Sequence, residues 1–205
     1  MQIEPMENAD EWRCWLSPAE QELLIDHFGE EPTKQLAMRL MLHGLRSDEV
    51  RRVTKGDVRE LDVDEEAFKL RVPTGKTGFR ECPISTRLKT EIYALASARG
   101  DRGGRSDVPV VDVTTKTLQR WTKAAGNVLA EETEDEDWNH VRCHDLRRSW
   151  ATTTYYSLAD APGRVAQDVI MQWGGWVDSD TFRNNYLGRP PDRLTADLMD
   201  AAGMV

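Results

Sequence analysis

His144-Asp145-Leu146-Arg147-Arg148-Ser149-Trp150-Ala151-Thr152, followed by Gly174-Gly175-Trp176 and then Tyr186, is the stretch that decides how this chain is read. A histidine and an arginine three apart share one face of a helix. Together they can hold one anion, the imidazole moving protons and the guanidinium engaging oxygens with its fork. The bland reading is a core histidine bonded to backbone, and His-x-x-Arg by itself is common. Trp176 has one indole donor, able to give a hydrogen bond to a phosphoryl oxygen but not to move a proton. Such a residue is more often core packing. Tyr186 lies between Arg183-Asn184-Asn185 and Leu187-Gly188, surroundings that favour an exposed phenol. Tyr155 and Tyr156, mid-helix among threonines, read as structural, and Asp145 as an acid favoured by the helix dipole.

Upstream, Arg46 follows a helix that Gly44 terminates, in Gly44-Leu45-Arg46-Ser47-Asp48-Glu49. Glu49 lies one turn further on and can hold the guanidinium in place; taken alone, the pair reads as an ordinary surface ion pair. Lys76 occupies the Gly-bracketed turn Pro73-Thr74-Gly75-Lys76-Thr77-Gly78, from which an ammonium can swing into a neighbouring groove. A solvated turn lysine is the simpler reading of that feature in isolation.

Around these residues the pattern is mainly helical. Ser17-Pro18-Ala19-Glu20 reads as a capping box that opens a helix. Further helices are expected from about Thr33 to Gly44, from Ser47, and over 86–99, 114–130, 145–156, 163–173 and 179–186. A last one runs from about 192 to 202. Residues 58–63, 67–72 and 79–84 alternate polar and apolar side chains, which predicts a three-stranded antiparallel meander. The stretch 100–107 and the acidic run Glu131–Asp137 read as loops. The fold class is therefore mainly α with a small three-stranded antiparallel β-sheet, in one domain of 205 residues.

The net charge of −9 runs against what a nucleic-acid binder needs on at least one face. Acid, however, collects in the first 31 residues, at 62–66 and at 131–137, whereas Arg and Lys collect at 46–55, 69–80 and 142–148. Global charge governs solubility and non-specific binding, not what a local cluster does. An acid-rich surface adapted to high salt accounts for the balance. The sequence contains no apolar run long enough to span a membrane and no signal peptide at its start. Cys14, Cys82 and Cys143 are odd in number and far apart, which argues against disulfides or structural zinc and suits a reducing cytoplasm.

Each motif is weak alone, but their order is not. Gly44 to Val50, Gly75-Lys76-Thr77-Gly78, His144 to Thr152, Gly175-Trp176 and Tyr186 together resemble the tyrosine recombinase (phage integrase) family, over its catalytic domain from about Trp15 to Tyr186. The resemblance implies a site-specific DNA recombinase or integrase that cuts and rejoins strands through a 3′-phosphotyrosyl link. Type IB topoisomerase-like relaxation and a DNA-binding accessory protein with weak chemistry are the alternatives.

By the same resemblance, Arg46 and Arg147 clamp the scissile phosphate and Glu49 supports Arg46. Lys76 protonates the leaving 5′-oxygen, and His144 assists proton transfer. Trp176 fills a position that is histidine in most members, and Tyr186 is the nucleophile. The partners implied are double-stranded DNA and further copies of the chain, with no cofactor and no metal. Residues 1–14 are expected to be a flexible lead, and an N-terminal DNA-clamping domain to be absent. A C-terminal helix within 190–205 either packs on a neighbouring subunit or folds back. The sequence departs from the family pattern in a Trp176–Tyr186 spacing one residue longer than usual, and in Arg148 where a histidine is frequent.

Overall fold

The structure, a computed structural model, describes residues 1–6, 11–75, 78–99, 107–158, 163–202 and 204. Residues 1–14, expected to be a flexible lead, are instead ordered into strands where they are described. The described part of the lead forms strands β1 (Gln2–Pro5) and β2 (Trp12–Trp15), paired antiparallel with Gln2 opposite Trp15. The reason is burial: Cys14, Trp15 and Leu16 sit in the protein interior, so β2 is held by packing.

Helix α1 (Pro18–Asp26) has the expected capping box, Ser17 and Glu20 each bonding the other's backbone amide. Helix α2 (Pro32–Met41) is apolar over more than one face, and every residue from Leu36 to Met41 is buried. Its one buried charge, Arg39, is met by Glu91 at 3.2 Å and Glu22 at 3.5 Å. Gly44 ends this stretch at φ +86, in the left-handed region, with a tryptophan (Trp150) pressed against its α-carbon. The short helix α3 (Ser47–Val50) follows at once.

Strands β3 (Val58–Glu60), β4 (Phe68–Gly75) and β5 (Gly78–Ile84) form the expected meander in the order β3-β4-β5. Lys76, at its second turn, lies outside the described residues, as does most of the expected loop over 100–107. Along β5, Arg80, Cys82 and Ile84 face inward, as the two-residue period of a strand requires.

Helix α4 (Thr86–Ala98) covers the core through Leu88, Ile92 and Leu95. Helix α5 (Thr115–Thr133) is longer than expected and takes in the start of the acidic run; Glu134 and Asp135 cap the junction, and a 3-10 turn over Glu136–His140 takes in the end. That run is therefore not simply a solvated loop. It is fixed by Trp138, which is buried and rests its carbonyl against Gly126 of α5.

Helices α6 (Cys143–Ser157), α7 (Gly163–Gly174), α8 (Ser179–Asn185) and α9 (Asp192–Ala201) complete the described fold. The main core runs through α1, α2, the sheet, α4, α5 and the start of α6. A second apolar cluster of Cys82, Trp150, Ala151, Ile170, Trp176 and Phe182 joins β5 to α6, α7 and α8. None of the described helices is long and apolar enough to cross a membrane.

Candidate active site

Two chain reversals create the site. Past α2 the chain turns at Gly44, and past α7 it turns at Gly175, which has φ +72. The second turn bonds Trp176 N–H back to the Met171 carbonyl at 2.9 Å. Two carbonyls, Gly44 O and Gly174 O, are thereby presented to the interior close to helix ends, where the dipole is negative.

Arg80 and Arg147 each bridge both carbonyls. Arg80 donates from Nε to Gly174 O at 2.9 Å and from Nη2 to Gly44 O at 3.1 Å. Arg147 donates from Nη2 to Gly174 O at 2.5 Å and from Nη1 to Gly44 O. The arginines therefore stitch α2, β5, α6 and α7 at one point.

Glu49, buried at 2% exposure, is the carboxylate of this cluster. It accepts from the Arg46 amide at 2.7 Å, from Arg46 Nη1 at 2.9 Å and from Arg80 Nη2 at 2.7 Å. Arg46 also reaches Gly175 O at 3.4 Å. Arg46 and Arg80 thus bind one carboxylate while Arg147 shares the two carbonyls with Arg80, and the three cations around one acid leave an excess of positive charge that an anion would neutralise. Burial first, and then the charges of Arg46 and Arg80, push the Arg147 pKa down to about 9, so it remains a cation at neutral pH. Burial likewise lowers Arg80, with Glu49 opposing.

The expected nucleophile reaches this cluster. Tyr186 follows the last residue of α8, and its hydroxyl lies 2.8 Å from His144 Nε2. The phenol was expected to be exposed; it is half-buried against Trp176, with ring centroids 4.6 Å apart and planes at 63°. Trp176 also stacks on Trp150 and lies beneath Arg147, whose Cζ is 4.2 Å from its ring centroid. The indole therefore acts as a floor for both the arginine and the tyrosine. Its Nε1, together with Arg80 Nη1 and Arg147 Nε, is buried with no hydrogen-bond partner among the described residues.

Removal from water, and then the guanidiniums of Arg148, Arg147 and Arg46, push the His144 pKa down to about 3. The residue is exposed, and the surrounding guanidiniums oppose a further positive charge, which leaves a neutral imidazole at neutral pH. In the tautomer that leaves Nε2 unprotonated, the Tyr186 hydroxyl donates to it.

A cavity of about 540 Å³ opens on this cluster, lined in part by Arg46, Lys123, Arg142, His144 and Arg147, with Asp48 as its one described acid. The net charge of the chain is negative, but this cavity wall is basic.

Of the expected site residues, Arg46, Glu49, His144, Arg147, Trp176 and Tyr186 come together, whereas Lys76 lies outside the described residues. The longer Trp176–Tyr186 spacing is absorbed by α8 without carrying the phenol away from His144. Arg148 is not in the anion cluster: it pairs with buried Asp145 and bonds the Asn185 carbonyl at 2.8 Å. Asp145 itself does more than complement the dipole, accepting from the Arg142 and Cys14 amides. Arg80 was missed by the sequence reading. Its signal was present in the alternation of β5, which puts an arginine among the inward positions.

No family model and no curated protein sequence matches the chain. Solved structures do. The XerA recombinase superposes with a TM-score of 0.65 at 16% identity, over 92% of this chain and 65% of that one. The XerH site-specific recombinase, bound to its difH substrate before cleavage, gives 0.64 at 14% identity, over 90% and 53%. The Tn1549 transposon integrase, in complex with transposon right-end DNA, gives 0.63 at 15%, over 96% and 69%. The chain thus spans about half to two-thirds of the length of these proteins. At such low identity the likeness is one of architecture: this chain has the fold of a tyrosine recombinase catalytic domain.

Proposed function

We propose that the chain is a DNA strand-breaking and rejoining enzyme, a site-specific recombinase or integrase working through a phosphotyrosyl intermediate. The observation that carries this reading is the 2.8 Å contact between Tyr186 Oη and His144 Nε2, beside two arginines that face a basic cavity. Arg46 and Arg147 hold the non-bridging oxygens of one phosphodiester, where charge gathers during in-line attack. A phenol with an ordinary pKa near about 10 needs help to become a nucleophile. Neutral His144 supplies it by accepting the phenolic proton as the Tyr186 oxygen bonds to phosphorus.

The bond from phosphorus to the 5′-oxygen breaks in the same step, leaving a 3′-phosphotyrosine. The departing oxygen takes its proton from a general acid, a role we give to Lys76. Attack by a 5′-hydroxyl then reverses each of these steps and returns the proton to tyrosine. Duplex DNA is the partner, and more than one copy acts on it. The exposed Leu198 and Met199 of α9 support that helix being shared between copies. The three buried free thiols suit a reducing compartment such as the cytoplasm.

The test uses a library of nicked duplexes with randomised sequence, in which the cleaved end diffuses away and traps the adduct. Covalent protein–DNA complexes resistant to detergent are expected from the wild type and not from Tyr186→Phe. Equal adduct yield from both proteins would remove Tyr186 from its role.

A further inference from the structure

The backbone that carries Tyr186 is held by donors from two other elements, one of them the N-terminal strand. From β2, Arg13 Nη1 donates to the Asn184 carbonyl at 2.9 Å and Nη2 to Asn185 Oδ1 at 2.8 Å. Trp15 Nε1 donates to the Tyr186 carbonyl at 2.8 Å. From α6, Thr152 Oγ1 donates to the same carbonyl at 3.0 Å and accepts from the Gly188 amide at 2.8 Å. Arg148 holds the Asn185 carbonyl, and Tyr156 Oη donates to the Gly188 carbonyl at 3.1 Å.

Four of the five carbonyls from Asn184 to Gly188 therefore accept from side-chain donors, two of which belong to a strand about 170 positions away. Strand β2 is itself fixed to α6, since the Cys14 amide donates to Asp145 and the Leu16 amide to Ser149 Oγ at 2.8 Å. That anchorage begins one turn from His144 and Arg147, so both sides of the reacting pair are referenced to one helix.

We propose that β2 is a positioning strap for the nucleophile: Arg13 and Trp15 set the depth and rotation of 184–186 so that the Tyr186 hydroxyl meets His144. They are positioning residues: their bonds end on the Asn184 and Tyr186 carbonyls and the Asn185 side chain, not on the Tyr186 hydroxyl. The local geometry requires them. Tyr186 ends a seven-residue helix with φ −124, outside the helical region, so α8 alone does not fix the direction of the phenol. A displacement of the β1–β2 hairpin would be transmitted to the reacting oxygen through these bonds.

The inference rests on the proposed function, and its test separates the two. Arg13→Gln, Arg13→Lys and Trp15→Phe would be compared with the wild type by amide hydrogen exchange without DNA, then by rate of adduct formation at saturating DNA. Losing one or two such bonds is expected to speed exchange at Tyr186, Leu187 and Gly188 about tenfold, with α2 and α5 unchanged. Adduct formation is expected to slow by about the same factor with DNA affinity retained, and Arg13→Lys to recover part of the loss. Arg13 is only half-buried whereas Trp15 is buried, so the Arg13 variants report even if Trp15→Phe fails to fold. Unchanged exchange at 186–188, or faster exchange with an unchanged adduct rate, overturns the strap. Faster exchange in a protein whose wild type forms no adduct upholds the strap as a structural element and overturns the proposed function instead.

Discussion

Arg80 Nη2 and Glu49 Oε2 lie 2.7 Å apart in the interior, with 4% and 1% of their side chains exposed. Breaking a buried pair by removing one member typically costs about 3–5 kcal/mol, because the other charge is left uncompensated. Glu49 keeps Arg46, but Gly44 O and Gly174 O would each lose a donor. Arg80→Ala is therefore expected to lose stability in that range by urea denaturation, with adduct formation falling further than stability alone explains. A stable variant of full activity would remove Arg80 from the site.

Gly174 is a second sensitive point. A methyl group there would stand 1.9 Å from the Trp176 ring, which already supports Arg147 and Tyr186. Overpacking of this kind costs about 1–3 kcal/mol. Gly174→Ala is expected to lower the melting temperature by several degrees and to slow adduct formation by displacing the indole. Pairing it with Trp176→Phe, which frees space, should restore part of the stability.

His144 gives a pH signature. Folding lowers its pKa, so as pH falls below the unfolded value of about 6.5 the unfolded chain takes up this proton first. Its contribution to stability is thus flat above that value and lost progressively as pH falls from 6.5 towards about 3. His43, also lowered by burial, works in the same sense. His144→Gln is expected to narrow the loss of stability between neutral and mildly acidic pH without abolishing it. In the wild type the acid limb of the adduct-formation rate should lie below 6.5, since a neutral imidazole persists there. An acid limb at or above that value would mean that another group takes the phenolic proton.

Lys123 lies on the cavity wall and is exposed. If it meets a DNA phosphate, Lys123→Gln should weaken binding evenly across sequences and lower the salt slope of the binding constant by about 1. Titration by fluorescence anisotropy at several salt concentrations measures both. An unchanged slope would place the duplex elsewhere.

Much of this architecture was legible from local rules. The Ser17–Glu20 box, the stop at Gly44, the alternation through 58–84 and the shared face of His144 and Arg147 depend on neighbours within a turn or a strand. What was not legible depends on distant partners. Nothing in Trp12–Trp15 announces that it closes over α6, and nothing local in Arg13 points to Asn184. The acidic run after α5 looked solvated because its charges hide the one residue, Trp138, that fixes it. Arg80 was hidden in the same way: a strand pattern gives its face, but only the meeting of two helix ends gives that face a purpose.

The side-chain amide of Gln2 accepts from the Arg189 amide at 2.9 Å and donates to its carbonyl at 3.1 Å, imitating one more strand partner. With the strap above it, this ties the first elements of the chain to the residues that follow Tyr186. During synthesis β1 and β2 can pair with each other, but they wait for α6 and for the segment around Tyr186 until most of the chain is made. The Tyr186 hydroxyl is therefore placed after Arg46, Arg80 and Arg147, and a chain that stops short of residue 186 lacks the phenol that meets His144.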